Sequence, residues 1–198
     1  MDRLDKNCRG SRPRCVLLCE GGAEEVARRL TEMVGRPEVD ISALDQWQPH
    51  GTACMWEAEL DKVSPRGRAL LPPETREKLR EWWLAEGGGR ARTPKWDIAG
   101  TCTISGRKGL LLVEAKAHEV ELSPKDQCDA KSARNRERIV HAIAEANAGL
   151  REAAGGSWQL SAAHHYQLAN RFAWSWKLAR LQVPVVLVYL GFLDAAEM

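Results

Sequence analysis

GLLLVEAKA (residues 109–117) joins an apolar run to a carboxylate and an ammonium, and this stretch decides the predicted fold. Side chains of a β-strand alternate between its two faces, so Leu112, Glu114 and Lys116 should share one face. A strand that is apolar on both faces at its start is typical of the centre of a sheet, with its exit end at the rim. The pattern therefore predicts a central strand whose last residues line a cleft at the sheet edge.

A second strand-like run, TPKWDIAGTCTI (residues 93–104), precedes this strand and is separated from it by SGRKG (residues 105–109). A short, glycine-containing connection between two strand-like runs predicts an antiparallel hairpin, here with a five-residue turn. Antiparallel pairing brings an early residue of one strand beside a late residue of the next. Asp97 should therefore converge with Glu114.

Helical and strand-like patterns surround the hairpin and predict an α/β fold, with a small mixed sheet flanked by helices. The last apolar run, PVVLVYLGFL (residues 184–193), predicts a buried strand, and HEVEL (residues 118–122) predicts one more short strand. Residues 1–14 read as a polar lead-in, and residues 38–70 as mixed short helix and loop. Helices are predicted over residues 23–35, from Pro72 to the glycines after residue 86, from Ser132 to Gly149, and over residues 158–183.

The bulk composition is that of one globular domain with a real core. The chain has 198 residues, of which 44% are hydrophobic and 28% charged, and a formal net charge of +2. A polyanionic partner would therefore need a local basic patch, which excludes a histone-like or coating role. Most of the eight tryptophans are expected in the core.

The six cysteines include no CxxC pair and no histidine at zinc-finger spacing, so reduced thiols are expected rather than a structural metal cluster. The sequence also shows no signal peptide and no apolar stretch of about 18 residues, the length that a membrane span requires. A soluble cytoplasmic protein is therefore predicted.

The three charged residues of the hairpin suit phosphodiester chemistry. Mg2+ prefers oxygen ligands and is usually held by one or two carboxylates together with substrate phosphate oxygens. A nearby ammonium can orient the nucleophile or neutralise developing negative charge. Asp97, Glu114 and Lys116 therefore predict a divalent-cation site for phosphodiester hydrolysis, with Mg2+ as cofactor and Mn2+ as a substitute.

Asp97, followed seventeen residues later by Glu114-Ala115-Lys116 across a hairpin, resembles the PD-(D/E)XK nuclease (restriction endonuclease-like) superfamily. The resemblance implies an αβββαβ core over residues 71–198, with residues 1–70 as a helical or irregular extension packed on it. It implies Asp97, Glu114 and the backbone carbonyl of Ala115 as metal ligands, and Lys116 as the residue that positions the attacking water. Gln167 resembles a glutamine that some members carry on the helix after this motif.

Each of these residues also has a plain structural interpretation. Glu114 and Lys116 could form a solvated ion pair at a strand end, Asp97 could belong to a turn, and Gln167 could face solvent. The motif alone is weak evidence, because Asp129-Ala130-Lys131 also fits (D/E)xK. That second copy lies in a polar linker with no apolar strand before it, so structural context favours the first copy.

Basic residues near the motif suit phosphate contacts. The candidate nucleic-acid-binding residues are Lys95, Arg107, Lys108, Lys131 and Arg134. The predicted function is a metal-dependent DNA endonuclease whose partner is nucleic acid and not a membrane; a homodimer is a possible assembly. The alternatives are a catalytically inactive nucleic-acid-binding or interaction module on the same fold, and an unrelated α/β protein.

Overall fold

The computed structural model describes residues 10–64, 68–86, 92–118, 123 and 125–192. These residues form an α/β fold with a mixed sheet. The helices are α1 (Ser11–Leu18), α2 (Ala23–Val34), α3 (Pro73–Trp83), α4 (Ala133–Ala154) and α5 (Tyr166–Arg180). The strands are β1 (Val39–Asp40), β2 (Trp47–Gln48), β3 (Ala58–Glu59), β4 (Lys95–Trp96), β5 (Ile98–Ile104), β6 (Arg107–Lys116) and β7 (Val185–Gly191).

The described residues fall into two compact units, each built from separate stretches of the chain. The described residues of the first unit lie within Met1–Ala58, Lys95–Glu121 and Pro184–Met198, and those of the second within Glu59–Pro94 and Leu122–Val183. The sheet lies in the first unit, and α3, α4 and α5 lie in the second. The division into residues 1–70 and 71–198 stays a prediction.

Strand β6 is the central strand of the sheet, as its apolar pattern predicts. It pairs antiparallel with β5 on one side and parallel with β7 on the other. The outer edge of β5 is covered by β1 near one end and by β2 near the other. Both neighbours of β6 therefore fix its position, and the sheet is mixed, as the sequence predicts.

The hairpin turn is tighter than the predicted five residues. Ile104 pairs directly with Arg107, leaving only Ser105 and Gly106 in the turn. Both turn residues have positive φ, 48° and 76°, which the primed two-residue turns of β-hairpins favour. The predicted loop was too long because Arg107 and Lys108 are polar, yet they continue the strand.

One face of the sheet packs against the first two helices. Side chains from β5 and β6, such as Ile98, Leu111 and Val113, form a buried cluster with Cys15 of α1 and Leu30 of α2. Helix α2 has the predicted bounds and ends at Gly35 in the left-handed conformation, which glycine adopts without steric cost. This packing immobilises the strand pair that carries the candidate site.

Two predictions for the N-terminal part of the chain need correction, and a third, at residues 118–122, falls mostly outside the described residues. Helix α1 begins at Ser11, inside the expected lead-in, because Cys15 and Val16 bury one side of a short helix. The described part of residues 38–70 holds short strands and loops instead of helix. Most of the predicted strand at residues 118–122 lies outside the described residues.

Helices α3, α4 and α5 of the second unit match three predicted helices with shifted ends. Helix α4 starts directly after Ser132, as predicted, and the Ser132 side chain caps it, but the helix continues past Gly149 to Ala154. Helix α5 begins only at Tyr166, because His165 has a left-handed backbone. Trp82, Trp83 and Trp174 are buried and in mutual ring contact. No helix among the described residues is long and apolar enough to cross a membrane.

Replacing Gly109 by alanine should destabilise the sheet by about 1–3 kcal/mol, the usual range for an overpacked core. A Cβ atom there would lie 2.6 Å from the backbone oxygen of Pro184, which accepts a hydrogen bond from Leu110 N–H. Urea denaturation measures the loss. Gly191→Ala is the control, because a Cβ there meets nothing within 4 Å; equal effects of the two substitutions would contradict the expectation.

Replacing Asp45 by asparagine should cost about 1–3 kcal/mol of folding free energy near neutral pH. Burial opposes ionisation of Asp45, but hydrogen bonds from Ser42, Thr101 and Lys108 outweigh it and lower the pKa of the carboxyl group. A lowered pKa stabilises the fold above the unfolded-state value of about 4, and this stabilisation disappears as the pH falls through the folded-state pKa. The stability difference between wild type and Asp45→Asn should therefore shrink below about pH 4, as urea denaturation across pH will show.

Candidate active site

The hairpin places the predicted acids at the same end of its ladder. Ile98 pairs with Val113 in the last pair of the β5–β6 ladder, so Asp97 and Glu114 are the next residues beyond it. Asp97 lies between β4 and β5, at the point where the β5–β6 ladder ends. The approach of the Asp97 and Glu114 carboxylates at the exit end of β6 stays a prediction.

A backbone hydrogen bond ties Asp97 to the motif itself. The N–H of Ala115 donates to Oδ2 of Asp97 over 2.8 Å. The N–H and C=O of one strand residue point to the same side, and the carbonyl of Lys116 accepts from Phe192 N–H on the β7 side. The carbonyl of Ala115 therefore points to the other side, toward Asp97, where the family resemblance implies a third metal ligand.

Glu114 and Lys116 form a largely buried ion pair. Nζ of Lys116 lies 2.6 Å from Oε1 of Glu114, and the two side chains are only 15% and 4% exposed. Burial of a carboxylate, like that of any ion, costs roughly several kcal/mol unless a counter-charge and hydrogen bonds compensate for the lost hydration. These residues are therefore not the solvated strand end of the plain structural interpretation.

A cysteine thiol lies within electrostatic reach of the same acids. Burial raises the pKa of Cys15, and the negative charges of Asp97, Cys19 and Glu114 raise it further. Because the thiolate is the reactive form, a raised pKa makes this cysteine unreactive at neutral pH. Cys15 is therefore a packing residue beneath the site and not a nucleophile.

The donor set at the strand end fits a hard divalent cation in its chemistry. It offers two carboxylates and one backbone carbonyl, all of them oxygen donors of the kind that Mg2+ prefers. Among the described residues, no group of three or more histidine, cysteine, aspartate or glutamate side chains is arranged for a metal ion. A metal here would therefore depend on the Ala115 carbonyl, on water and on substrate phosphate for its remaining ligands.

Three of the predicted phosphate-binding residues lie in the first unit, at different distances from the acids. Lys95 belongs to β4, just before Asp97, and its Nζ lies 3.6 Å from Glu57. Arg107 and Lys108 begin β6 and are exposed. Seven residues of strand, about 23 Å at 3.3 Å per residue, separate Arg107 from Glu114. Arg107 and Lys108 would therefore contact phosphates well away from the one being cleaved.

The remaining predicted site residues lie in the second unit. Gln167 is the second residue of α5; its side chain is exposed and its N–H donates to Asp126 over 2.6 Å. Lys131 is exposed just before α4. Arg134, in the first turn of α4, forms an ion pair with Glu86 at 2.6 Å. Their parts in a common site stay predictions.

The second copy of the motif lacks the context of the first. Asp129 is exposed, and residues 126–130 have no regular secondary structure. No strand therefore holds the Asp129 carboxylate in a fixed position, which agrees with the preference for Glu114-Ala115-Lys116 on sequence grounds.

Sequence reasoning missed one carboxylate beside the site, that of Glu57. This side chain reaches Lys95 from the loop before β3, and its charge also contributes to the raised pKa of Cys15. Glu57 lies in the stretch 38–70, where turns and two-residue strands have no detectable periodicity. Only its contact with Lys95 of β4, seen in the folded structure, identifies it.

Comparison with known proteins identifies no relative: no protein-family model, no curated protein and no solved structure matches the chain.

Proposed function

We propose that this protein is a metal-dependent nuclease that hydrolyses phosphodiester bonds of DNA as an endonuclease of the PD-(D/E)XK type. The observation that carries the proposal is the arrangement at the exit end of β6. Asp97 directly precedes Ile98 and Glu114 directly follows Val113, the last pair of the β5–β6 ladder. Asp97 accepts the Ala115 N–H, and Nζ of Lys116 lies 2.6 Å from Oε1 of Glu114. The Asp97–Ala115 hydrogen bond therefore joins the two chain segments that leave the end of this ladder.

The roles of the residues follow from their chemistry. Asp97, Glu114 and the Ala115 carbonyl would hold Mg2+, or Mn2+ in its place. The bound cation would lower the pKa of a water molecule and stabilise negative charge on the attacked phosphate. The Lys116 ammonium is placed to orient that water and to offset the charge that develops on the phosphate oxygens.

The finer fold assignment, a restriction endonuclease-like core, belongs to the same proposal. Its support is the element order: α3 precedes the β5–β6 hairpin, and α4 and α5 separate β6 from the parallel strand β7. The third strand of an αβββαβ core would fall at residues 118–122, most of which lie outside the described residues. The catalytic role of Gln167, on α5, stays a prediction of the family resemblance.

One observation favours the alternative, a catalytically inactive nucleic-acid-binding module. Glu114 already has a close ammonium partner within its own motif. A carboxylate satisfied in this way needs no cation to stay buried. Metal binding therefore separates the two functions.

Isothermal titration calorimetry of the wild-type protein with Mn2+ tests the proposal directly. We expect stoichiometric binding in the wild type and a loss of affinity of at least tenfold in Asp97→Asn, since the carboxylate charge is removed while the side-chain volume is kept. Asp129→Asn, in the second copy of the motif, is the matched control and should bind as the wild type does. Mn2+ binding that Asp97→Asn leaves unchanged would favour the inactive module.

A further inference from the structure

One tryptophan of this chain is displayed on the surface. All eight tryptophans lie in the described residues, and Trp56 is 60% exposed whereas the others are buried or half-buried. Its neighbour Met55 is 53% exposed. Large apolar side chains are costly to expose, and adjacent exposed ones commonly mark a binding surface.

The backbone around Trp56 is held firmly in this exposed position. The buried side-chain amide of Gln48 donates to the carbonyl oxygens of Trp56 and Glu57 over 3.0 and 3.1 Å. On either side of the exposed pair, Cys54 and Ala58 are buried. The buried amide of Gln48 thus fixes the backbone of the loop that carries Trp56. The exposure of the Trp56 ring is therefore a property of the fold and not of a loose segment.

The same contacts attach the loop to the strand that follows Asp97. Gln48 belongs to β2 and pairs with Ala99 of β5, two residues after Asp97. Glu57 lies 3.6 Å from Lys95, two residues before Asp97. The exposed ring is therefore anchored beside the candidate active site.

One exposed cationic side chain contacts the exposed pair, and a second contacts the neighbouring Glu57. The guanidinium of Arg12 donates to the carbonyl oxygen of Met55 over 3.2 Å, and the Arg12 side chain is exposed on α1. Lys95 reaches the loop through Glu57. An aromatic face beside an exposed cation is the combination that binds single-stranded nucleic acid, in which bases stack on rings and phosphates contact cations.

We infer that Trp56 is a stacking platform for an unpaired base, so that the preferred substrate is single-stranded DNA or a single-stranded stretch next to the cleaved bond. This inference rests on the proposed nuclease function. A base paired within a duplex presents only its edges, and its faces are covered by its neighbours in the stack. The platform therefore discriminates between single and double strands.

Fluorescence anisotropy with a fluorescein-labelled oligo(dT) of about 20 nucleotides, compared with a blunt duplex of the same length, tests the inference. The measurement is made in EDTA, so that no cleavage occurs. We expect wild type to prefer the single strand, and Trp56→Ala to lose single-strand affinity about 5- to 150-fold. Trp56→Phe should retain most of it, and Leu44→Ala, an exposed apolar residue outside this loop, should bind as the wild type does.

The outcomes separate this inference from the function on which it rests. Single-strand binding that Trp56→Ala leaves unchanged overturns the platform, even where Mg2+-dependent cleavage is found. Binding that depends on Trp56, in a protein that cuts no DNA with Mg2+, supports the platform and refutes the nuclease. Sedimentation velocity gives a further criterion: a wild-type dimer that Trp56→Ala converts to a monomer, with oligo(dT) binding unchanged, would show a contact between two copies and overturn the inference.

Discussion

Replacing Asp97 by asparagine is expected to abolish Mg2+-dependent cleavage of DNA, lowering the initial rate by about a thousandfold or more. The carboxylate supplies one of the two side-chain charges that the proposal assigns to the cation, and an amide is a much weaker ligand. The substitution should leave the fold intact, because the amide oxygen of asparagine can still accept the Ala115 N–H that Asp97 Oδ2 accepts now. Initial rates on labelled DNA, with unchanged circular dichroism, measure the effect.

The matched control for this experiment is Asp129→Asn, which makes the same chemical change in an exposed copy of the motif. A nuclease that co-purifies with the protein would give equal rates in wild type, Asp97→Asn and Asp129→Asn. Equal rates in all three proteins, or full activity in Asp97→Asn, would remove Asp97 from the proposed site. Normal activity in Asp129→Asn with none in Asp97→Asn would assign cleavage to the end of β6.

Replacing Lys116 by methionine is expected to destabilise the fold by about 3–5 kcal/mol, the typical effect of removing one partner of a buried ion pair. Methionine keeps most of the side-chain volume but leaves the buried Glu114 carboxylate without the ammonium that lies 2.6 Å away. The same substitution should also abolish cleavage, since the group that orients the water is gone. Urea denaturation at neutral pH measures the loss of stability.

The double variant Glu114→Gln/Lys116→Met separates the two effects. Removing both charges should recover most of the lost stability, because the buried charge has been removed with its partner. Cleavage should stay absent. Lys108→Met, on the same strand, is the control: the Lys108 side chain is 76% exposed, and Asp45, its partner at 3.2 Å, keeps its hydrogen bonds from Ser42 and Thr101, so the loss should stay below about 1 kcal/mol. Full stability in the single variant Lys116→Met would show that the Glu114–Lys116 pair contributes nothing to the fold.

The hairpin could be predicted from sequence because its signal is local. The strand has an apolar run on both faces over Leu110–Val113, and its charged residues Glu114 and Lys116 then share one face. A glycine-containing turn lies only a few residues before it. Helices α2 and α3 could also be predicted from the sequence, since each has one apolar face and is followed by glycine. In the structure, α2 is followed by Gly35, and α3 ends before Leu84, whose backbone is extended. The placement of Asp97 and Glu114 at the same end of the ladder follows from the register that the hairpin sets.

The errors arose where local and tertiary preferences differ. Residues 158–165 have a composition that suits a helix, but the left-handed backbone of His165 and the contacts of Asp126 with the backbone N–H groups of Tyr166 and Gln167 start α5 later. The two-residue strands β1 and β2 exist only because they cover the edge of β5. Such strands are too short to have a period, so Gln48, Trp56 and Glu57 could not be recognised from the sequence.

The connectivity of the central strand has a consequence for the order of folding. Only a two-residue turn joins β5 to β6, so the loss of entropy on closing this loop is small. The ladder can therefore form within about 1–10 μs. Strand β7 reaches β6 only after the chain has passed through α4 and α5, a contact of high sequence separation that forms slowly. Asp97 and Glu114 should thus reach the same end of the ladder early, before the parallel strand docks. Mutations in β7 should then mainly accelerate unfolding, whereas mutations in the hairpin should slow folding itself.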